Sequence, residues 1–223
     1  ISNFTAEQIN IKYNIEKKKI KIFPCCIDTS TRANFDYNPY QASKFNILSI
    51  LRLDKSGKLN AVYDMIKVMP NLIKKHKNLH FTVIGDGNCK SKIMSDIKKS
   101  KMEKHISILG YIKDTRPYLQ YCDIFTLTSP LEGFGIVYLE AMLYGKPCLA
   151  SKNCGSEDVV LNDKTGYSVG LKEFKKLTGI INKIINNKSK RNNLGRKGYE
   201  HLIQNFTFSK FKKNQNFFLF EIL

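Results

Sequence analysis

Short apolar runs alternate with longer segments of helical periodicity through the middle of the chain. Residues 45–51, 79–84, 106–109, 124–127, 147–150 and 166–169 read as strands. Stretches near 58–75, 89–100, 114–121, 135–145 and 156–161 carry helix-spaced apolar positions between them. Strands that are apolar on both faces and separated by helices predict a parallel sheet covered on both sides. The expected fold is α/β, a doubly wound, Rossmann-like sheet of about six strands with ligands beyond the carboxyl ends of the strands. The final third reads as helices over 171–187, 188–204 and 208–220.

Residues 1–43 break the alternation. A helical piece, Thr5 to Tyr13, leads into a strand-like run, Lys19 to Phe23, then Pro24-Cys25-Cys26-Ile27-Asp28 and a polar stretch. One helix and one strand cannot bury a core of their own, so this segment reads as the tail of a preceding domain plus a linker. The chain starts at Ile1 without a signal-peptide pattern, which predicts a piece of a longer protein. The expected division is a remnant and hinge at 1–43, the doubly wound domain at 44–205 and a terminal helix at 206–223.

The run Ser129-Pro130-Leu131-Glu132-Gly133-Phe134-Gly135-Ile136-Val137-Tyr138-Leu139-Glu140-Ala141-Met142 carries the most chemistry. A glycine-punctuated turn enters a helix in which, from Ile136 to Tyr144, only Glu140 is charged. A helix apolar all round is buried, and a buried carboxylate needs partners or gives up its charge.

With 42% hydrophobic residues the chain can build a real core, and no apolar run reaches the roughly 18 to 20 residues of a membrane span. The net charge of +18 raises nucleic-acid binding as one class of function. Lysine supplies 32 of the 37 basic residues, scattered along the chain, and no zinc-finger, RNA-recognition or helix-turn-helix signature accompanies them. A positive surface also suits phosphate-rich substrates or an anionic membrane face. None of the six cysteines forms a CxxC pair, so they read as reduced, mostly buried thiols of a cytoplasmic protein. His76, His80, His105 and His201 lack metal spacing and no Asp-x-Asp pair is present, so no metal is expected.

Four strand ends are candidate sites: Leu51-Arg52-Leu53 with the lysines after it, Gly85-Asp86-Gly87, Leu109-Gly110-Tyr111-Ile112, and the Glu132 turn. The helix start after Gly133-Phe134-Gly135 offers free N–H groups and a positive dipole end that suit a diphosphate. In order and spacing these segments, with Gly145-Lys146-Pro147, Gly155-Ser156-Glu157 and Thr165-Gly166, resemble the C-terminal, donor-binding half of family 4 glycosyltransferases, enzymes of the two-domain GT-B fold. The resemblance runs from about Asn46 to Val169.

That resemblance implies a retaining transfer from a nucleotide-diphosphate sugar, most simply a UDP-sugar, to a glycan or lipid-linked acceptor in cell-surface polysaccharide or glycolipid assembly, with no bound metal or other cofactor. Glu132 would approach the donor sugar, and Glu140 would accept hydrogen bonds from the ribose. Gly133 and the backbone N–H groups of Phe134, Gly135 and Ile136 would face sugar and diphosphate, Arg52 and a lysine would neutralise the leaving diphosphate, and Gly110, Tyr111 and Ile112 would flank the base. The cleft of this fold lies between two domains. Nearly all of the acceptor domain is expected to lie outside this sequence, so the chain by itself should bind nucleotide weakly and transfer little. The implied location is cytoplasmic, at the inner face of the membrane, with the lysine-rich surface as one means of peripheral association.

The chain departs from the family pattern in three places. Leu51 replaces a glycine, Gly57 stands where the lysine is expected with Lys58 and Lys55 flanking it, and Pro24-Cys25-Cys26-Ile27-Asp28 stands at the hinge. Lys58 is the favoured substitute. Competing readings are a non-catalytic nucleotide-sugar-binding module and a charge-driven nucleic-acid binder. Residue by residue, the alternatives make Glu132 a helix N-terminal charge, Glu140 the partner of a buried lysine, and Arg52 the partner of a structural carboxylate such as Asp86.

Overall fold

The computed structural model describes residues 2–222 apart from positions 42 and 56, with the side chains of 216–222 also outside the description. The tail phenylalanines Phe217, Phe218 and Phe220 therefore lie outside the described side chains.

Six strands form one wholly parallel sheet in the order β3-β2-β1-β4-β5-β6: β1 (Phe45–Ile50), β2 (Leu79–Ile84), β3 (Ile106–Ile108), β4 (Ile124–Leu127), β5 (Cys148–Ser151) and β6 (Gly166–Val169). β1 pairs with β2 from Phe45 opposite Leu79 to Ile50 opposite Ile84, and with β4 through Ile47 and Leu48. The reversal of strand order between β1 and β4 opens a crevice at their carboxyl ends, where a doubly wound sheet takes its ligand.

Crossover helices cover both faces. α2 (Asn60–Ile73) and α3 (Lys90–Lys99) follow β1 and β2; α4 (Arg116–Tyr121) and α5 (Ile136–Leu143) follow β3 and β4. α6 (Phe174–Asn186) packs on α2, and α7 (Lys188–Asn205) packs on α5. The core is the apolar set predicted from the pattern: Ile47, Leu48, Phe81, Phe125 and Leu149 are fully buried between these layers. Each such side chain contributes about 1.5–3 kcal/mol.

The strand predicted at Lys19 to Phe23 is not formed. The chain makes a short 3-10 turn at Lys17–Lys19 and then runs irregularly, because an alternating pattern becomes a strand only where a free sheet edge accepts its N–H and C=O groups. The helix expected at 156–161 contracts to a 3-10 turn, Gly155–Asp158. α1 (Asn3–Tyr13) starts from the Ser2 cap, and its Asn3 N–H donates to Asp158 Oδ2 at 2.6 Å. The polar stretch after Asp28 straps the α4–α5 side. Phe35 exchanges hydrogen bonds with Gln120 (2.9 and 2.8 Å), Ala33 N–H donates to the Tyr144 hydroxyl, and Arg32 lies over the rings of Tyr144 and Tyr199. Ile27 bridges to Thr207, just before α8 (Phe208–Ile222).

One carboxylate in the α2 layer is buried without a cation. Asp64, 9% exposed, accepts from Thr128 Oγ1 at 3.1 Å, and burial raises its pKa to about 6. Because this lies above the roughly 3.9 of an unfolded Asp, the folded state holds a proton that the unfolded chain releases between about pH 4 and 6. Stability from this site is present below that window and lost as pH rises through the folded pKa. Asp64→Asn keeps an acceptor for Thr128 and removes the charge. Chemical denaturation should show no advantage for it near pH 4 and an advantage of about 1–2 kcal/mol near pH 7, screening by rim solvent included. A difference that does not vary with pH would contradict this.

Candidate active site

The carboxyl edge of the sheet holds an open cleft of about 800 Å³. Its walls include Arg52, Lys58, Tyr111, Ile112, Glu132, Gly133, Phe134, Gly135, Ile136 and Glu140, so ten of the eleven expected site residues meet there. Gly110 stands behind the wall: its carbonyl accepts from Gly85 N–H at 2.8 Å, and its φ of +79° turns the chain so that Tyr111 reaches the rim, 76% exposed.

Two glycines shape the cleft. Gly85 has φ +149°, and a Cβ there would lie 1.8 Å from the Leu51 carbonyl oxygen. Glycine lets the ends of β1 and β2 close together, and the Leu53 N–H continues the pairing to Asp86 O at 2.9 Å. Gly135, at φ +90°, caps α5, and any side chain there would strike the Tyr138 ring at 2.4 Å. Tyr138 is fully buried, its hydroxyl donates to Leu127 O, and its ring packs edge-on against Phe125 at 5.7 Å. The start of α5 is therefore pinned to the end of β4. Tyr138 N–H bonds back to Gly135 O, while Ile136 and Val137 begin the helix with N–H groups that have no intrahelical acceptor. Among the described residues no side chain caps Gly135, and Ile136 and Val137 both line the cleft.

Glu132 is 7% exposed, and Lys58 reaches it across the cleft, with Nζ 3.0 Å from Oε2 and 3.4 Å from Oε1. The longer contact has hydrogen-bond geometry and the shorter is a charge contact only, since Oε2 makes no hydrogen bond. Of the two candidate lysines, Lys58 lines the cleft and Lys55 does not. Arg52 stands on the opposite rim, its side chain 87% exposed and paired with Asp54 at 2.7 Å. The reading in which it pairs with Asp86 is corrected: Asp86 binds Lys90 at 3.0 Å, and that contact with the Gly87 N–H holds its pKa below the usual range.

Glu140 is half-buried, one helical turn beyond Ile136 on the cleft-facing side of α5. Among the described residues it has neither ion pair nor hydrogen bond, which corrects the reading that pairs it with a buried lysine. Burial alone raises its pKa. It is a carboxylate without an internal partner at the wall of a cavity.

Cys25, Thr115 and Val137 also line the cleft without having been named as site residues. Val137 follows from its place on α5, but Cys25 and Thr115 enter through the hinge segment and the β3–α4 loop, for which periodicity gives no signal. Arg116 binds Asp114 at 2.7 Å rather than facing the cleft. Phe206 is a packing residue, edge-on to the cleft residue Phe134 at 5.6 Å. Among the described residues no cluster of three His, Cys, Asp or Glu side chains is placed to hold a metal ion, and no helix is long and apolar enough to cross a membrane.

A parallel six-stranded sheet with an uncapped helix start, two cleft glutamates and a basic rim at its carboxyl edge defines a Rossmann-like domain with a polar cleft at its switch point. Residues 38–201 match the family described as glycosyl transferases group 1, and the chain belongs to that family. It is 27% identical over 144 residues to the poly(ribitol-phosphate) alpha-N-acetylglucosaminyltransferase of Staphylococcus aureus, covering 64% of this chain and 29% of that protein. Among solved structures, a glycosyltransferase from Rickettsia africae superposes with TM-score 0.86 at 19% identity, covering 97% of this chain and 61% of the other. Anabaena HepE in complex with UDP and glucose gives TM-score 0.81 at 19% identity, covering 98% and 61%. The fold of this chain is shared with both over part of their length. The chain spans less than a third of that curated relative and about three-fifths of the two solved chains.

Proposed function

We propose that the cleft binds a nucleotide-diphosphate sugar, a UDP-sugar in particular, and that the chain is the donor-binding half of a retaining glycosyltransferase. The observation that carries this reading is Glu140: a partnerless carboxylate on the cleft face of α5, one turn from an uncapped helix start. Ribose hydroxyls supply the donors it lacks, and the diphosphate reaches the N–H groups of Ile136 and Val137. Glu132 then holds hydroxyls of the sugar. In the reaction the bond between the anomeric carbon and the diphosphate oxygen breaks, and the diphosphate departs with the electron pair. The acceptor hydroxyl oxygen bonds to the same carbon on the face the diphosphate leaves, and its proton passes to the departing diphosphate oxygen. Arg52, Lys58 and the helix N–H groups meet the charge that develops on the leaving group, without a bound metal.

The UDP and glucose bound to HepE support the choice of donor. The acceptor in this reading is a glycan or lipid-linked chain of a cell-surface polysaccharide or glycolipid, presented by a second domain that residues 1–43 and the C-terminal helix would join. The work would take place in the cytoplasm, at the inner face of the membrane.

A thermal-shift series with UDP-, GDP- and ADP-sugars tests the donor. The UDP-sugar should stabilise the chain, and Glu140→Ala should weaken binding about tenfold to a hundredfold, the loss of hydrogen bonds to a charged group. Affinity should also fall as the medium is acidified through the raised pKa of Glu140, since only the carboxylate accepts from both ribose hydroxyls. If no nucleotide sugar shifts the melting temperature of the wild type, the donor assignment loses its support.

A further inference from the structure

The face opposite α5 carries a second feature, unrelated to the cleft. α2 and α6 enclose a groove of about 450 Å³. Lys67 from α2, Lys74 and Lys75 from the turn that follows it, and Lys175 from α6 line it, and no carboxylate does. Lys67 and Asn71 lie one turn apart on α2, and Lys74 caps its C-terminal end. Among the described residues none of these four side-chain ammonium groups forms an ion pair or hydrogen bond. Some other lysines are paired: Lys90 with Asp86, Lys190 with Asp163, and Lys176, beside the groove, with Glu173.

The neutral groups point the same way. His76 Nε2 lies 2.8 Å from Asn182 Oδ1, which occupies the acceptor end of that amide and leaves its NH₂ donors for the groove. Asn71 is exposed on the same wall and has no partner among the described residues. Toward the start of α2 the groove opens into a broader hollow containing Asp64 and Asp96, which ends the uniformly basic stretch. Unpaired ammonium groups lining one groove repel one another, and a multivalent anion between them removes that cost.

We propose that the α2–α6 groove binds a linear polyanion of closely spaced phosphates, laid along the groove so that successive phosphates meet lysines of both helices. Lysines, as point charges on flexible stems, suit a repeating anion better than a single bidentate one. The groove is concave, whereas a lipid surface is flat. The only aromatic side chain on its wall among the described residues is half-buried Phe174, which gives no platform for successive bases.

The probe is short-chain inorganic polyphosphate carrying a fluorophore, titrated against the full chain by anisotropy. One variant combines Lys67→Gln, Lys74→Gln, Lys75→Gln and Lys175→Gln. The control removes the same charge elsewhere, through Lys92→Gln, Lys104→Gln, Lys197→Gln and Lys210→Gln. All eight positions are exposed, so both variants should match the wild type in circular dichroism and melting temperature. The groove variant should bind at least tenfold more weakly, with the salt slope reduced by about three, and the control less than threefold more weakly. Equal losses would show attraction by net charge alone and overturn the proposal. Two further results would overturn it by assigning the groove to another partner: anionic phosphatidylglycerol vesicles that bind the wild type and control but not the groove variant, or a single-stranded oligonucleotide that displaces polyphosphate at lower phosphate concentration.

Discussion

Lys58→Ala should lower transfer at least about a hundredfold in a polypeptide that carries both halves of the cleft, with Lys55→Ala near wild type. The expectation rests on reach. Lys58 Nζ already stands in the cleft, 3.0 Å from Glu132 Oε2, and Lys55 does not line the cleft. A cation aimed at charge that develops only as the diphosphate leaves acts mainly on the transition state. Loss of one such preorganised contact costs about 2.7–4 kcal/mol, or 10²–10³ in kcat. The effect should therefore fall on kcat more than on KM. Steady-state transfer of radiolabelled sugar checks it. Equal losses for Lys55 and Lys58 would point to general attraction of the donor, and an unchanged kcat in Lys58→Ala would remove this lysine from the reaction.

Gly155→Ala should be strongly damaging. A Cβ at Gly155 would sit 1.9 Å from Gly133 O and 2.8 Å from Ser2 Oγ. The nearest atoms are backbone of the glutamate turn, so the turn must move. The same residue's N–H donates to Glu132 O at 2.7 Å, so this movement carries Glu132 with it. Overpacking of this kind costs about 1–3 kcal/mol, a melting shift of about 2–10 °C in a domain of this size. Displacement of a reacting group by about an ångström costs a further hundredfold in rate. Gly133→Ala is the control, since a Cβ at Gly133 meets nothing within 4 Å. Calorimetry and kinetics on the pair decide the matter: equal behaviour would mean that the two loops do not support one another as the geometry requires.

The strands were legible because the sheet is buried on both faces, which makes Ile47–Leu48, Phe81 and Phe125 stand out without reference to any partner. The Glu132–Glu140 stretch was legible for the opposite reason, a charge where the pattern allows none. The strap and the Lys58–Glu132 contact were not. The partners of Lys58 and Phe35 lie 74 and 85 residues away, and such contacts depend on where loops settle, which no local period encodes. The Lys19–Phe23 alternation misled because strand formation also needs an open edge beside it.

The contact between Lys58 and Glu132 bears on how a cycle would end. While the cleft is empty, the ammonium compensates a carboxylate that is almost wholly out of water. On the proposed reading, an arriving diphosphate draws Lys58 away, and the sugar's hydroxyls take its place at Glu132. Once the sugar has gone to the acceptor, the spent nucleotide still competes for Lys58 but offers Glu132 nothing, and a bared buried carboxylate is costly. Re-forming the internal pair then favours departure of the nucleotide, so the resting enzyme itself ranks intact donor above its own by-product.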